Sequence, residues 1–156
     1  MRKPWNLPSY PVYSLLTENR LWQKNMNIMT YVTPVSMSPK HYILAIYHGT
    51  QTLENWSYTH RGILQILSPI HTSLVRVLGK KSGKFYDKMK YLSRKWVFNE
   101  DWILSGIAWN IELEEIERLP DRWGDHTLYL CRVKWTKSYH EEVLTTADLV
   151  EEGVIL

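Results

Sequence analysis

One cysteine, Cys131, and two phenylalanines are all that the 156 residues hold of either type. A single thiol excludes an intramolecular disulfide and any cysteine-based zinc site, and favours a reducing compartment, so a cytoplasmic location is expected. Long apolar runs are also missing. The longest, Tyr42 to Tyr47, is far too short to cross a bilayer, and the N-terminal MRKPWNLPSYP has no apolar stretch of signal-peptide length, so neither membrane nor export is expected. Nor does one sign of charge dominate. Nineteen Lys and Arg oppose 16 Asp and Glu, a formal +3, and the cations are scattered and often lie near acids such as Glu54, Asp87, Glu114, Glu115 and Glu117. Nothing here announces a nucleic-acid partner, while a small anionic ligand stays compatible. Internal repeats, low-complexity tracts and linkers are absent, so residues 1–156 read as a single domain.

What the chain does have is 8 Trp and 10 Tyr. These rings combine contact area with a polar handle and suit a wet interface or a flat ligand, although interior packing accounts for most of them. Strand patterns run over Val12 to Leu16, Met26 to Ser36, Tyr42 to Tyr47, Ile63 to Leu67, Ile103 to Leu119 and Thr127 to Thr136. Pro4, Pro8 and Pro11 make an irregular lead-in. In the last strand Tyr129, Cys131, Val133 and Trp135 share one side. Thr50 or Thr52 caps a short helix, Ser68-Pro69 starts a second that stops at Gly79 through a left-handed turn, and Lys84 to Leu92 reads as a third. The expected class is mainly β: an antiparallel barrel, closed or nearly so, with small helical insertions.

The stretch VLGKKSGKFYDK, Val77 to Lys88, has the small and cationic residues of a phosphate loop. It is not the nucleoside-triphosphate loop: three residues separate Gly79 from Gly83 where four are needed, and Phe85 stands where the magnesium-binding hydroxyl belongs. No Gly-x-Gly-x-x-Gly dinucleotide fingerprint exists either. His41, His48, His60, His71 and His140 show no metal-ligand spacing, so no metal is expected.

Four segments, in order, resemble the flavin reductase-like family of FMN-binding split barrels, which includes flavoredoxins and ferric reductases. They are NMNIMTYVTPVS (Asn25 to Ser36), AIYHGTQTLENW (Ala45 to Trp56), the Val77 to Lys88 stretch itself, and GDHTLYLCRV (Gly124 to Val133). The resemblance implies a split β-barrel of Greek-key-like antiparallel build that binds FMN. It places the phosphate at Gly49, Thr50, Gln51 and Thr52, with Lys80, Lys81, Ser82 and Gly83 closing over it and Lys88 beside the flavin. Asn25 begins the strand that carries Met29, Thr30, Tyr31, Val32 and Thr33 toward the ring and ribityl chain, with Tyr31 where the family often has tryptophan. His126 approaches the flavin or nicotinamide as the catalytic candidate.

The family also implies a homodimer and an NAD(P)H-dependent oxidoreductase passing electrons to flavin, ferric iron or a protein acceptor. A non-catalytic FMN-binding electron carrier or binding module is the alternative. The single proline of SMSPKHY, Cys131 where glycine is frequent, and the tail LTTADLVEEGVIL depart from the family pattern.

Overall fold

β-branched, aromatic and aliphatic residues in alternation build seven strands: β1 (Tyr13–Glu18), β2 (Lys24–Met26), β3 (Val32–Met37), β4 (Lys40–Tyr47), β5 (Arg61–Ile66), β6 (Trp109–Arg118) and β7 (His126–Ser138). The computed structural model describes Pro4 and residues 8–96, 98–99, 101–122 and 124–155. Most of the lead-in around Pro4 thus lies outside the described residues, as does Trp123 in the loop before β7. The strands pair antiparallel throughout, in the order β2-β1-β5-β6-β7-β4-β3.

The link between β2 and β3 closes this sheet. Tyr13 and Met29 exchange backbone bonds of 3.0 and 2.9 Å on the open side of β1, and the Tyr31 carbonyl accepts from the Ala45 amide of β4 at 3.0 Å. Residues 29–31 thereby bridge the two ends of the sheet and complete the barrel. Here the structure corrects the single strand expected over Met26 to Ser36. The chain changes partner between Asn27 and Tyr31, and the Asn27 side chain accepts from the Leu15 amide at 2.9 Å in place of a ladder bond. The hydrophobic pattern is unbroken there, so nothing in it marks the change.

The barrel interior holds Tyr13, Leu15, Met29, Val32, Leu44, Ile46, Trp56, Leu64, Ile111, Leu113, Tyr129 and Cys131. A second core lies on the outer face of β1, β2 and β5, where Leu16, Met26 and Ile63 meet the helices α2 (Thr72–Lys80), α3 (Lys88–Lys95) and α4 (Thr146–Glu151) and the residues Ile103, Leu104 and Ile107. The strand expected from Ile103 therefore begins at Trp109, because the residues before it pack sideways into this outer core. Gly106, at φ +82°, makes that bend against Ile70. Trp135 turns outward and is half exposed, contrary to its expected side. The pairing shifts between Glu112–Trp135 and Leu113–Val133, which reverses the face.

The first helix, α1 (Gln51–Thr59), is capped by Thr50, whose Oγ1 accepts from the Leu53 amide at 3.2 Å. Gly79 does not end α2. It sits inside the helix, and Lys81, in extended conformation, is the cap. The third helix starts at Lys88 rather than Lys84, because Asp87 supplies the cap by accepting from Lys90.

Trp56 joins α1 to the barrel. It is fully buried, and its Nε1 donates to Glu115 Oε2 at 2.9 Å. Trp56→Ala removes both packing and a hydrogen bond and is expected to cost about 3–5 kcal/mol in urea unfolding. Met37→Ala, on an exposed side chain, should stay within about 0.5 kcal/mol.

Candidate functional site

A cleft of about 390 Å³ opens where the start of α1, the turn 80–83, the bridging segment 27–31 and the end of β4 meet. Such a volume lies within the range of about 300–1,000 Å³ that takes small ligands and cofactors. Of the residues expected at a site, Asn25, Met29, Thr30, Tyr31, Thr50, Gln51, Thr52, Lys80, Lys81, Ser82, Gly83, Lys88 and His126 all line it. Val32 points into the barrel core, Thr33 is exposed on β3, and Gly49 forms the turn before α1 at φ +73°; these three are not among the lining residues. Ala45, Tyr47 and Leu78 line the cleft without having been singled out, and Asn27 lines it beside Asn25. For Ala45 and Tyr47 a signal existed: they lie two apart at the end of β4, and Tyr47 pairs with His126 across the ladder.

One end of the cleft is built for an anion. The amides of Gln51 and Thr52 open a helix and so have no carbonyl four residues behind them; with the helix dipole they favour negative charge. The remainder of α1 is fixed by side-chain amides. Asn25 Nδ2 donates to Thr52 Oγ1 at 3.1 Å, Gln51 Nε2 to Asn55 Oδ1 at 2.8 Å, and Asn55 Nδ2 to Thr17 Oγ1 at 3.2 Å. The turn 80–83 then closes against this helix. A Cβ on Gly83 would lie 2.1 Å from Asn25 Oδ1 and 3.2 Å from Gln51 Cβ, so only glycine lets the two turns approach this closely. Lys84 Nζ ties the turn to Glu54 at 2.8 Å, and Lys81 Nζ lies 4.3 Å over the Tyr86 ring.

Lys88 is the buried cation of this wall. Its Nζ donates to the Leu78 carbonyl at 2.8 Å, and burial pushes its pKa down to about 8. The other end of the cleft is aromatic. His126 lies between Tyr31 and Tyr47, with ring centroids 5.1 and 5.2 Å away. Its Nδ1 donates to Asp125 Oδ1 at 2.6 Å, and that ring holds the Asp125 carboxyl below the usual carboxylate range. Cys131 has no part in this chemistry: it is buried in the barrel, and desolvation, with Glu115 nearby, pushes its thiol up to about 12.

The family described as "Flavin reductase like domain" matches residues 9–148. The chain belongs to the flavin reductase-like family. No curated protein matches this flavin reductase-like chain by sequence. Among solved structures, the flavin reductase of styrene monooxygenase from Pseudomonas putida S12 superposes with a TM-score of 0.77 at 16% identity, over 94% of this chain and 91% of that one. An FMN-binding protein from Thermus thermophilus gives 0.74 at 20% identity, over 88% and 75%. An NADH:FAD oxidoreductase from Streptomyces globisporus C-1027 gives 0.73 at 14%, over 86% and 79%. At these identities the likeness is one of fold, and it establishes the antiparallel barrel with short helices as this family's. Among the described residues no helix is long and apolar enough to cross a membrane.

Lys88 carries a pH signature. Burial holds its pKa in the folded protein at about 8, below the ordinary lysine value of 10.5. Under pH 8 the lysine is charged in both states and the full cost of burying that charge is present. As pH rises through 8 the folded protein loses the proton first, and stability grows until the unfolded chain also deprotonates near 10.5. Relative to Lys88→Met, the flavin reductase-like domain is expected to gain at most about 3 kcal/mol over this window. Urea unfolding of both proteins from pH 7 to 11 checks it, and parallel curves would contradict it.

Proposed function

We propose that this cleft binds the FMN moiety of a flavin and that the protein is an NAD(P)H-dependent flavin reductase-like oxidoreductase passing electrons to free flavin, ferric iron or a protein acceptor. The reading rests on one observation: within a flavin reductase-like domain, a helix start, a glycine turn and an aromatic end converge on a single cleft of cofactor size. Flavin-binding relatives of the same fold support it. The donor set fits the parts of such a ligand. A phosphate dianion meets the Gln51 and Thr52 amides, the Ser82 hydroxyl and the ammonium groups of Lys80, Lys81 and Lys88. The extended backbone at Met29 to Tyr31 offers polar groups to the edge of a flat ring.

A bound flavin supplies the two-electron chemistry; the chain supplies position and surroundings. Tyr31 and Tyr47, both half exposed, and His126 wall the open end, where a nicotinamide approaches, and limit water there. Because Nδ1 of His126 is engaged by Asp125, Nε2 is left to face the ligand as a hydrogen-bond partner. The exposed tyrosines at this end also suit cover by a second copy of the chain, and a homodimer is part of the proposal.

Purified protein should show, or acquire on addition of FMN, an absorbance band at about 450 nm, and should then oxidise NADH or NADPH above the buffer blank. A colourless protein that gains no band with FMN would reject the reading. A flavin-loaded protein that turns over neither coenzyme would be an electron carrier or binding module. Lys81→Ala and Ser82→Ala, which remove an ammonium and a hydroxyl from the phosphate wall, are each expected to weaken FMN by about 1–3 kcal/mol, the worth of a charge-assisted or buried hydrogen bond. Unchanged affinity in both, by fluorescence titration, would remove the phosphate assignment.

A further inference from the structure

Two of the three non-glycine residues with positive φ among the described ones are tryptophans, Trp22 and Trp102, each at 61°. The two sit in the same local device, Asn-x-x-Trp, written NRLW from Asn19 and NEDW from Asn99. In each, the asparagine Oδ1 accepts from the amide two residues on, Leu21 at 2.8 Å and Asp101 at 3.0 Å, and from the amide four on, Gln23 at 3.0 Å and Ile103 at 2.9 Å. In each, the tryptophan amide donates to the asparagine carbonyl, at 3.0 and 3.1 Å. A bulky residue in the left-handed region costs roughly 1–3 kcal/mol and is far better served by glycine. The chain meets that cost twice, 80 positions apart, to aim two indoles at one place.

That place is a groove of about 610 Å³ lined by Trp22, Trp102, Phe85, Tyr86, Asp87 and the lysines Lys24, Lys84 and Lys88, of which Lys24 and Lys84 are paired with Glu18 and Glu54. Trp22 is 71% exposed and Phe85 91%, an unusual display of large rings for a monomer's surface. The groove is continuous with the cleft: Asn25, Gln51, Gly83 and Lys88 line both. These shared residues belong to the anion-binding end, not to the aromatic end at His126. A ligand leaving the cleft past its phosphate therefore enters a groove walled by flat rings, with Lys88 at the junction.

Resting on the reading of the cleft given above, we infer that this groove takes the adenylate half of a dinucleotide, a second phosphate beside Lys88 and Gly83 and a purine stacked on the exposed rings, so that the preferred flavin is FAD rather than FMN. The adenylate of a nicotinamide dinucleotide has the same chemistry. Its position favours FAD, because the nicotinamide has to reach the ring at the opposite, His126 end.

Titration of the flavin-free full chain with FMN, FAD and NADH separates the sources. FAD should bind more tightly than FMN by roughly 5- to 150-fold, the worth of one base stacked on an aromatic side chain. Trp22→Gly should remove most of that advantage while leaving FMN binding unchanged. Because glycine suits the left-handed turn, the variant should be at least as resistant to urea as the parent. Phe85→Ala, on the most exposed ring, should act in the same direction. FAD binding no tighter than FMN, or variants that weaken both flavins equally, would overturn the inference while leaving the cleft assignment standing. Variants that lower NADH affinity alone would assign the groove to the nicotinamide dinucleotide and overturn the FAD assignment. Variants that dissociate an oligomer without changing FAD affinity would assign the groove to a second copy. Failure of both flavins to bind would reject the cleft itself.

Discussion

Closure of the barrel by residues 29–31 is the constraint from which the cleft follows. A seven-stranded antiparallel sheet has two edges, and an unpaired edge presents free amides and carbonyls to any other chain. Here the edge strands β2 and β3 are joined by one short segment, which bonds inward on both sides, through Met29 to β1 and through Tyr31 to β4. Because it is engaged on both sides, its backbone is held without slack. Its adjacent residues line the cleft, with Thr30 between the two bridging positions. The element that joins the edge strands is therefore also the floor of the site, and it is held from the sheet on both sides.

The opposite wall is held differently. The start of α1 meets β1 and β2 through Asn25, Gln51, Asn55, Thr17 and Thr52, a run of side-chain hydrogen bonds that are mostly buried. Buried polar networks of this kind hold a unique geometry because any shift leaves donors or acceptors unpaired at low dielectric. Apolar packing at the same place would tolerate small slides of the helix. Gly83 then sets the spacing between this wall and the turn 80–83, since any larger residue would collide with the Asn25 carboxamide. Trp56, farther along α1, adds the apolar anchor inside the barrel.

The strand content and a helix capped at Thr50 or Thr52 could be read from residue types and their order, while the meeting of the two turns with the segment from Asn25 was implied only by the resemblance to the flavin reductase-like family. Alternation and β-branching mark strands, and threonine before a short amphipathic run marks a helix start. The failures share a cause, which is that local pattern does not record a change of partner. The Met26 to Ser36 stretch has one hydrophobic rhythm but two pairing environments, and Ile103 to Ile107 has strand-like residues that pack on the outer face of the sheet. Gly79 looked like a helix end because glycine usually is one, yet Lys81 ends α2 in extended backbone. The repeated Asn-x-x-Trp turns were invisible for a related reason. Sequence preference puts glycine, not tryptophan, in a left-handed turn, and only the backbone angles show the exception.

Lys88 links the architecture to the chemistry. A buried ammonium held by one carbonyl is destabilised relative to water, as its lowered pKa records, and burial is the sole cause of that lowering. The fold thus carries a charge that it does not neutralise by itself. A carboxylate placed beside Lys88 would have stabilised the ligand-free domain, but it would also have repelled an anion from the same wall. Leaving the countercharge to be supplied from the cleft makes occupancy by a dianion worth more than its hydrogen bonds alone, because the ligand also relieves a cost already present in the protein. The same residue lines the groove beyond Gly83. Two neighbouring phosphates would satisfy that wall better than one, which is why the shape of the groove and the charge of the cleft point to the same extended ligand.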